Sequence, residues 1–238
     1  MRTPQTGNNI VAANAGWTFE GDVVEHFDSH VAKSVPFYKE GHELICKLSD
    51  FFLSEGSVCY ELGCSTAALT NRMAEHNASK NVTFYGIDRV PEMIAEAQQR
   101  CESKANIRLL TQDLMDVEFE KSDLIVAYYT MQFIRPRNRQ VLFDRVYEAL
   151  NWGGAFILFE KVRAQDARFQ DIATTLYTDF KLDQGYNANE IVAKTRSLKG
   201  VLEPFSTQGN IDLLMRAGFV DILSVMKYLS FEGFLAVR

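Results

Sequence analysis

The sequence has no long apolar stretch and is poor in cysteine and histidine. No run approaches the roughly 18 apolar residues that a membrane-spanning helix needs, and the polar N-terminus lacks the apolar core of a secretion signal. The four cysteines form no Cys-x-x-Cys pair, and none of the four histidines stands beside a candidate nucleophile. We therefore expect a cytoplasmic protein with buried, reduced thiols, no membrane partner and no metal.

Positive charge is also scarce. The net charge is −6, and the 25 lysines and arginines are scattered along the chain. The densest basic group is Arg135, Arg137 and Arg139, which is interrupted by other residue types. A nucleic-acid surface normally shows a basic stripe, so we expect no direct nucleic-acid partner. The 238 residues, 47% of them hydrophobic, are enough for one globular α/β domain with its own core.

The central part of the chain alternates apolar strands with helices of ten to fifteen residues, which predicts βαβ units and a parallel sheet. The predicted strands are 58–62, 82–87, 107–110, 124–127 and 155–160. Two further strands, 219–226 and 228–237, are joined only by Lys227, and so short a link requires an antiparallel hairpin. The predicted fold is therefore a mostly parallel sheet with an antiparallel last strand.

The same pattern divides the chain into four segments. Residues 1–54 hold an arm, flexible over 1–16, and cap helices near 23–35 and 40–52. Residues 55–163 form the α/β core, and 204–238 complete it with a helix near 211–217 and the hairpin. Between them, 164–203 form a charged helical insertion at the carboxyl edge of the sheet. An insertion of this length predicts a lid or a dimer element, and a homodimer is therefore one of the expected arrangements.

The turn after the first strand is the first candidate ligand site. Glu61 ends that strand, Gly63 lies in the turn, and a helix begins near Thr66. Ser65 and Ala68 stand where a dinucleotide-binding Gly-x-Gly-x-x-Gly fingerprint needs glycines, and no P-loop ending follows. A cationic or zwitterionic ligand such as S-adenosyl-L-methionine (SAM) therefore suits the turn better than a pyrophosphate. An ordinary βα turn of an α/β protein would look similar.

Two more acids follow at the next strand ends. Asp88, after the second strand, is positioned to accept hydrogen bonds from both hydroxyls of a ribose. Asp113, after the third, could meet an adenine amino group with the Leu114 backbone beside it. Each could instead cap the helix or turn that follows. Acids at three successive strand ends, counting Glu61, indicate an adenosyl ligand more strongly than any one of them.

A group of aromatic residues is predicted to surround the reactive end of that ligand. Tyr128 and Phe133 flank the end of the fourth strand, where a sulfonium would lie, and a cation over an aromatic face is stabilised by about 0.5–2 kcal/mol. The alternative for each member is ordinary packing. The full group is Tyr38, Tyr128, Tyr129 and Phe133, with Tyr177 or Tyr186 from the insertion.

Several stretches resemble a known family. They are Trp17-Thr18-Phe19, Lys33-Ser34-Val35-Pro36-Phe37-Tyr38, Tyr60-Glu61-Leu62-Gly63-Cys64-Ser65, Gly86-Ile87-Asp88, Thr130-Met131-Gln132-Phe133, Leu150-Asn151-Trp152-Gly153-Gly154, Glu160-Lys161, Asp179-Phe180-Lys181, Gly185-Tyr186 and Lys194-Thr195-Arg196-Ser197. With them the chain resembles a class I SAM-dependent methyltransferase, and more closely the carboxy-S-adenosyl-L-methionine (carboxy-SAM) synthase family. The resemblance implies a Rossmann-like α/β fold with a seven-stranded sheet, N-terminal helices and a helical lid.

The resemblance also implies a reaction and site residues. That family converts SAM and prephenate into carboxy-SAM, which is used in tRNA wobble-uridine modification. By position, SAM would be bound by Tyr38, Gly63, Asp88 and the Asp113-Leu114 pair, and Arg196 would grip the extra carboxylate of the product. Two positions depart from the family. Ala67 replaces a glycine of the SAM turn, and Tyr128 replaces an asparagine near the methionine amino end of SAM.

Three functions follow from the sequence. The first is transfer of a methyl or modified group from SAM with a small acidic molecule. The second is cyclisation of SAM itself, which gives azetidine-2-carboxylate and methylthioadenosine. The third is a non-catalytic SAM-binding subunit. The predicted catalytic residues are Arg196, Tyr128, Phe133, Tyr177 and Tyr186, and the predicted SAM-binding residues are Tyr38, Glu61, Gly63, Asp88, Asp113, Leu114 and Tyr128.

Overall fold

The computed structural model describes residues 5–8 and 10–238, and its centre is a seven-stranded sheet. The strand order is β3-β2-β1-β4-β5-β7-β6, in which the first five strands are parallel and β7 is antiparallel to both neighbours. The strands are β1 (Val58–Leu62), β2 (Thr83–Asp88), β3 (Ile107–Thr111), β4 (Ser122–Tyr128), β5 (Leu150–Lys161), β6 (Asp221–Tyr228) and β7 (Phe231–Val237). The predicted sheet is confirmed.

Helices cover both faces of this sheet. Successive side chains of β4 point to opposite faces, so each face presents apolar residues on which helices pack. Leu124 and Val126 pack with α2 and α3, whereas Ile125 packs with α5 and α8. Proline at the first position, where no intrahelical N–H is needed, begins α4 and α5. The helices are α1 (Asp22–Ser34), α2 (Tyr38–Ser49), α3 (Ala68–His76), α4 (Pro91–Arg100), α5 (Pro136–Ala149), α6 (Ala167–Asp183), α7 (Ala188–Ser197) and α8 (Thr207–Ala217).

Several element boundaries differ from the sequence prediction, and the structure gives a reason for three of them. The segment 151–154, which precedes the predicted strand 155–160, belongs to β5, because Gly153 and Gly154 exchange backbone hydrogen bonds with Arg238. Lys227 lies inside β6, and the hairpin turns at 229–230 instead. Helix α8 begins four residues before its predicted start, because the Ser206 hydroxyl accepts a hydrogen bond from the Gly209 amide and caps it.

The N-terminal arm packs against the rest of the chain at several of its described residues, in a segment that the sequence predicts to be flexible. Gln5 forms an antiparallel bridge with Val11. Ile10 is only 1% exposed and belongs to an apolar cluster with Trp17 and Met93. Burial of these side chains holds the arm against α1 and α4. The rest of the predicted arm, residues 1–4 and 9, lies outside the described residues.

Helices α6 and α7 form the inserted segment that follows β5. Asp166 caps α6, and Asn187 with Glu190 forms a capping box at α7. The Tyr177 hydroxyl of α6 donates a hydrogen bond of 2.7 Å to the Ser34 carbonyl at the end of α1, which ties the insertion to the N-terminal helices. In the described ranges, none of the helices combines the length and apolar character needed to cross a bilayer.

Candidate functional site

A cavity of about 570 Å³ lies at the carboxyl ends of the parallel strands. This edge is where open α/β sheets bind ligands, and the volume is in the range for a single small molecule. Helices α1 and α2 form one side, and α6 and α7 form the other. All of the predicted site residues except Arg196 line this cavity. Among the described residues, no group of three His, Cys, Asp or Glu side chains could hold a metal ion.

The turn after β1 needs unusual backbone conformations. Gly63 has φ of 74°, and a Cβ there would clash with the side chain of Thr130, so glycine is required. Ser65 and Ala67 also have positive φ angles, of 50° and 55°. Ala67 thus adopts the left-handed conformation at the position where the resemblance implies a glycine. The amides of Gly63 and Cys64 donate to the Ile87 carbonyl at 2.7 and 2.9 Å, which holds the turn against β2.

Asp88 lies at the end of β2 and joins two loops. Its Oδ2 accepts a hydrogen bond of 2.9 Å from the Ser65 amide, and its Oδ1 accepts one of 3.0 Å from the Val90 amide. Burial raises the pKa of this carboxyl, although both amides favour its charged form. Each oxygen keeps a free lone pair for a ligand hydroxyl. The geometry therefore permits both the structural role and the ribose role.

Asp113 and Leu114 lie together at the end of β3. Asp113 is exposed, and its Oδ1 accepts a hydrogen bond of 2.9 Å from the Met115 amide, as expected for a residue that stabilises its own turn. Leu114 is buried against the apolar core and lines the cavity. The pair forms a rim of the cavity with one apolar and one acidic member.

Glu61 is buried at the end of β1. Its Oε2 accepts a hydrogen bond from the Thr70 hydroxyl, and desolvation by burial raises its pKa to about 8. The carboxyl is therefore mainly protonated at neutral pH when no cation is beside it. A ligand ammonium group next to Glu61 would lower that pKa and create an ion pair.

The aromatic group predicted from the sequence is brought together in the cavity wall. The Tyr38 and Tyr128 rings lie 5.0 Å apart, and Tyr128 and Tyr129 lie 4.8 Å apart. The Tyr128 hydroxyl donates to the Tyr38 carbonyl at 2.6 Å. Tyr128 therefore presents its ring to a ligand, where an asparagine would present an amide. Phe133 packs edge-on against Phe19, at 4.9 Å.

Tyr129 is the most strained member of this wall. It follows β4 with φ of 60°, a conformation that costs a bulky residue about 1–2 kcal/mol. Its hydroxyl is buried and has no hydrogen-bond partner in the part of the chain that the structure describes. Strain and an unsatisfied polar group beside a cavity are typical of functional sites.

Polar side chains of the lid region form a network that the sequence did not reveal. Lys194 Nζ lies 2.9 Å from His30 Nε2, and the Tyr186 hydroxyl lies 3.3 Å from His30 Nδ1 and 3.1 Å from the Ser34 hydroxyl. Burial and the nearby Lys194 lower the pKa of His30 to about 3, so its imidazole is neutral. The sequence indicates only a packing or surface role for this histidine, because its partners are more than 150 residues away.

Arg196 is exposed on α7 and does not line the cavity, whereas the preceding Thr195 does. Each residue of a helix is rotated by about 100° from the last, so neighbouring residues point in different directions. The predicted carboxylate contact of Arg196 therefore cannot be made inside this cavity as it stands. It stays a prediction, whether the contact is made within one chain or across a dimer.

The fold and the site define a SAM-dependent methyltransferase-like enzyme. Residues 60–154 match the family model described as a methyltransferase domain. Human N-acetylserotonin methyltransferase in complex with SAM has a TM-score of 0.57 at 17% identity, covering 93% of this chain and 60% of that chain. Phosphoethanolamine N-methyltransferase 2 of Haemonchus contortus has a TM-score of 0.66 at 14% identity, covering 93% and 59%.

Curated relatives define the family more narrowly. A carboxy-SAM synthase of Staphylococcus epidermidis is 36% identical over 223 residues, which are 93% of this chain and 97% of the relative. One of Campylobacter lari is 37% identical over 221 residues, 92% and 94% of the two chains. The chain belongs to the carboxy-S-adenosyl-L-methionine synthase family. It is a SAM-dependent enzyme, and SAM is its cofactor or substrate.

Proposed function

We propose that the enzyme transfers a group between SAM and a small carboxylic acid, as the name of its relatives indicates. The observation that carries this proposal is the division of one cavity into an acidic and a basic end. Glu61, Asp88 and Asp113 line the cavity at the ends of β1, β2 and β3, on one side of β4. Lys161 ends β5, on the other side of β4, and Lys181 of α6 lines the cavity with it. A cationic cofactor and an anionic co-substrate could then bind side by side.

The acidic end suits each part of SAM. Asp88 accepts the ribose hydroxyls, and the Asp113-Leu114 rim holds the adenine. Tyr38, Glu61 and the Gly63 turn meet the methionyl part, where Glu61 pairs with its ammonium group. The rings of Tyr128 and Phe133 face the sulfonium, and Tyr177 and Tyr186 of the lid exclude water from the reactive carbon. Holding both molecules in one orientation supplies much of the rate enhancement.

The test is product analysis by mass spectrometry. The protein is incubated with SAM alone and with SAM plus prephenate, beside a heat-killed control. Carboxy-SAM, or S-adenosylhomocysteine formed only when an acid is present, supports the proposal. Failure of SAM to react with prephenate or other small acids contradicts it, and absence of any product from SAM leaves the non-catalytic subunit as the better account.

Cyclisation of SAM is a second candidate, and one observation favours it. Arg196 lies outside the cavity, so it does not orient a second acid there in the way that the resemblance implies. Tyr128 gives the methionine end an aromatic face in place of an amide. Under this function, SAM alone yields methylthioadenosine and azetidine-2-carboxylate in the same assay. A cytoplasmic location and a homodimer stay predictions under either function.

A further inference from the structure

We propose that Lys161 and Lys181, which both lie against the ring of Tyr177, form a carboxylate-binding site at the basic end of the cavity. The inference rests on the proposed function, because it assigns the residues that hold the acid group of the co-substrate. It concerns side chains that lie 20 positions apart in the sequence and belong to different elements, β5 and α6.

The geometry brings the two ammonium groups to one aromatic ring. Lys161 Nζ lies 4.1 Å from the centre of the Tyr177 ring, and Lys181 Nζ lies 4.5 Å from it. The Phe231 ring is 5.7 Å from Lys161 Nζ. Tyr177 is itself fixed by its hydrogen bond to the Ser34 carbonyl. The lysines are therefore held at the junction of the sheet and the lid.

Neither ammonium group has a counter-charge of its own. Among the described residues, Lys161 Nζ and Lys181 Nζ take part in no salt bridge and donate no hydrogen bond to a side chain or carbonyl. Two acids that also line the cavity already interact with other groups. Asp28 pairs with Arg100, and Glu190 accepts the Asn187 amide in the α7 capping box.

A buried ammonium without an anion is unfavourable, and this site has two. Burial, together with the positive charges of Lys181 and Lys199, lowers the pKa of Lys161 to about 7, and burial lowers that of Lys181 to about 8. Attraction to the Tyr177 ring offsets only part of the desolvation cost. A carboxylate between sheet and lid would supply the missing charge and restore both ammonium groups to their charged form.

The position of the site favours the co-substrate as the source of that carboxylate. Lys161 ends β5, which is two strands from the Gly63 turn that follows β1, with β4 between them. Neighbouring strands lie about 4.8 Å apart, so the lysines are on the order of 10 Å from the turn. The methionyl carboxylate of SAM is the other source with the same chemistry, and the experiment separates the two.

Lys194 does not belong to this site, although it lies nearby and its pKa is lowered well below the usual range by burial and by Lys181. Its Nζ contacts His30 Nε2 at 2.9 Å, so it already has a hydrogen-bond partner. Lysine ammonium groups act as point charges without the fixed fork of arginine. The site therefore accepts carboxylates of different orientation and shape.

The test measures binding by titration calorimetry in Lys161→Met and Lys181→Met. Lys47→Met, which removes an exposed lysine of α2 far from the cavity, is the matched control for net charge. Prephenate and malonate are titrated into each protein saturated with S-adenosylhomocysteine. S-adenosylhomocysteine and methylthioadenosine, which differ in having or lacking a carboxylate, are titrated into the free proteins. Thermal melts verify folding, and Lys181→Arg provides a charge-retaining variant.

We expect each Met variant to bind prephenate or malonate at least tenfold more weakly, with S-adenosylhomocysteine affinity retained and Lys181→Arg near wild type. Weaker binding of S-adenosylhomocysteine but not of methylthioadenosine would also support the site, with SAM as the source. The proposal is overturned if both Met variants keep wild-type affinity for every carboxylate probe, or if Lys47→Met loses as much. Binding of prephenate without any product would contradict the proposed transfer and leave this site standing.

Discussion

At the scale of a single residue, the carboxylate of Asp88 holds two backbone amides and is proposed to bind SAM as well. Its oxygens hold the Ser65 and Val90 amides, and they also face the cavity. We expect Asp88→Ala to weaken SAM binding at least tenfold, because hydrogen bonds to a charged acceptor contribute about 1.5–3 kcal/mol. The same change should lower the free energy of unfolding by about 1–2 kcal/mol.

Calorimetry and urea unfolding of the same variant test this expectation. Asp88→Asn, which keeps one acceptor oxygen, is the control, and it should retain more of the stability than of the affinity. A purely structural residue would lose stability while SAM binds as tightly as before.

Gly41 and Tyr128 are in close contact, and the missing side chain of the glycine leaves room for the tyrosine hydroxyl. A Cβ at Gly41 would clash with the Tyr128 hydroxyl, which is fixed by its bond to the Tyr38 carbonyl. We expect Gly41→Ala to lower the free energy of unfolding by about 1–3 kcal/mol through overpacking. When Gly41→Ala is made in the Tyr128→Phe variant, the hydroxyl is absent and the loss should be smaller. The helix preference for alanine over glycine, about 1 kcal/mol, then offsets most of it.

A double-mutant cycle of unfolding free energies measures the match between these two positions. A coupling of at least about 1 kcal/mol is expected, since the two residues are in contact. Additive effects of the two substitutions would show that the Tyr128 hydroxyl does not determine the need for glycine.

At the scale of elements, Arg139 of α5 connects the end of β4 to the end of the lid. It is 1% exposed, and it donates hydrogen bonds to the carbonyls of Ile134, Gln132 and Glu203 at 2.9, 3.1 and 2.6 Å. We expect Arg139→Met to lower the free energy of unfolding by about 3 kcal/mol, because three buried or partly buried carbonyls lose the hydrogen bond from this guanidinium.

Hydrogen exchange gives this prediction a local signature. Amides of residues 199–206 should exchange faster in Arg139→Met, since the bond to Glu203 anchors that segment. Arg137→Met, which changes an exposed arginine two positions away, should leave both stability and exchange unchanged. Equal effects of the two substitutions would rule out the anchoring role.

The elements also show which features the sequence could predict. Glu61, Asp88 and Asp113 were predictable because the carboxyl ends of parallel strands meet at one edge. The start of β5 was not predictable. Gly153 and Gly154 are typical turn residues, and they join the strand only by pairing with Arg238 at the far end of the chain.

The same limit applies to the lid. No local signal relates Lys161 to Lys181. Lys181 and Tyr177 lie one helical turn apart on α6, and only the packing of α6 on the sheet brings Lys161 to the same ring. The direction of Arg196 depends on the rotation of α7 about its axis, and a shift of one residue exchanges it with Thr195. Contacts that depend on such rotations are fixed by tertiary packing.

For the whole molecule, two buried carboxyls give stability a distinct pH dependence. Burial raises the pKa of Glu61 and of Glu160 to about 8, above the value of 4.5 expected when unfolded. A raised folded pKa gives stability that is complete below pH 4.5 and is lost as pH rises through 8. Lys161, with its lowered pKa, acts in the opposite sense, losing stability as pH falls from 10.5 through 7.

Glu160→Gln isolates one of these contributions. Glu160 does not line the cavity, and its Oε1 has no hydrogen-bond partner among the described residues. We expect the difference in unfolding free energy between Glu160→Gln and wild type to grow in favour of the variant, by up to about 1.4 kcal/mol per pH unit, between pH 4.5 and 8. Urea unfolding at pH 5.5, 6.5 and 7.5 measures it, and a constant difference would contradict the buried-acid account.

Ser34 joins the insertion to helix α1, and we expect its contacts to affect how fast products leave the cavity. Its carbonyl accepts a hydrogen bond from the Tyr177 hydroxyl of α6, and its own hydroxyl lies 3.1 Å from that of Tyr186, in the connection between α6 and α7. Opening must break both contacts together, and motions of this size take microseconds to milliseconds. We expect this opening to control product release, so a Tyr177→Phe, Tyr186→Phe double variant should release S-adenosylhomocysteine faster in stopped-flow experiments. We also expect turnover to slow as solvent viscosity rises, because opening moves the insertion through the solvent.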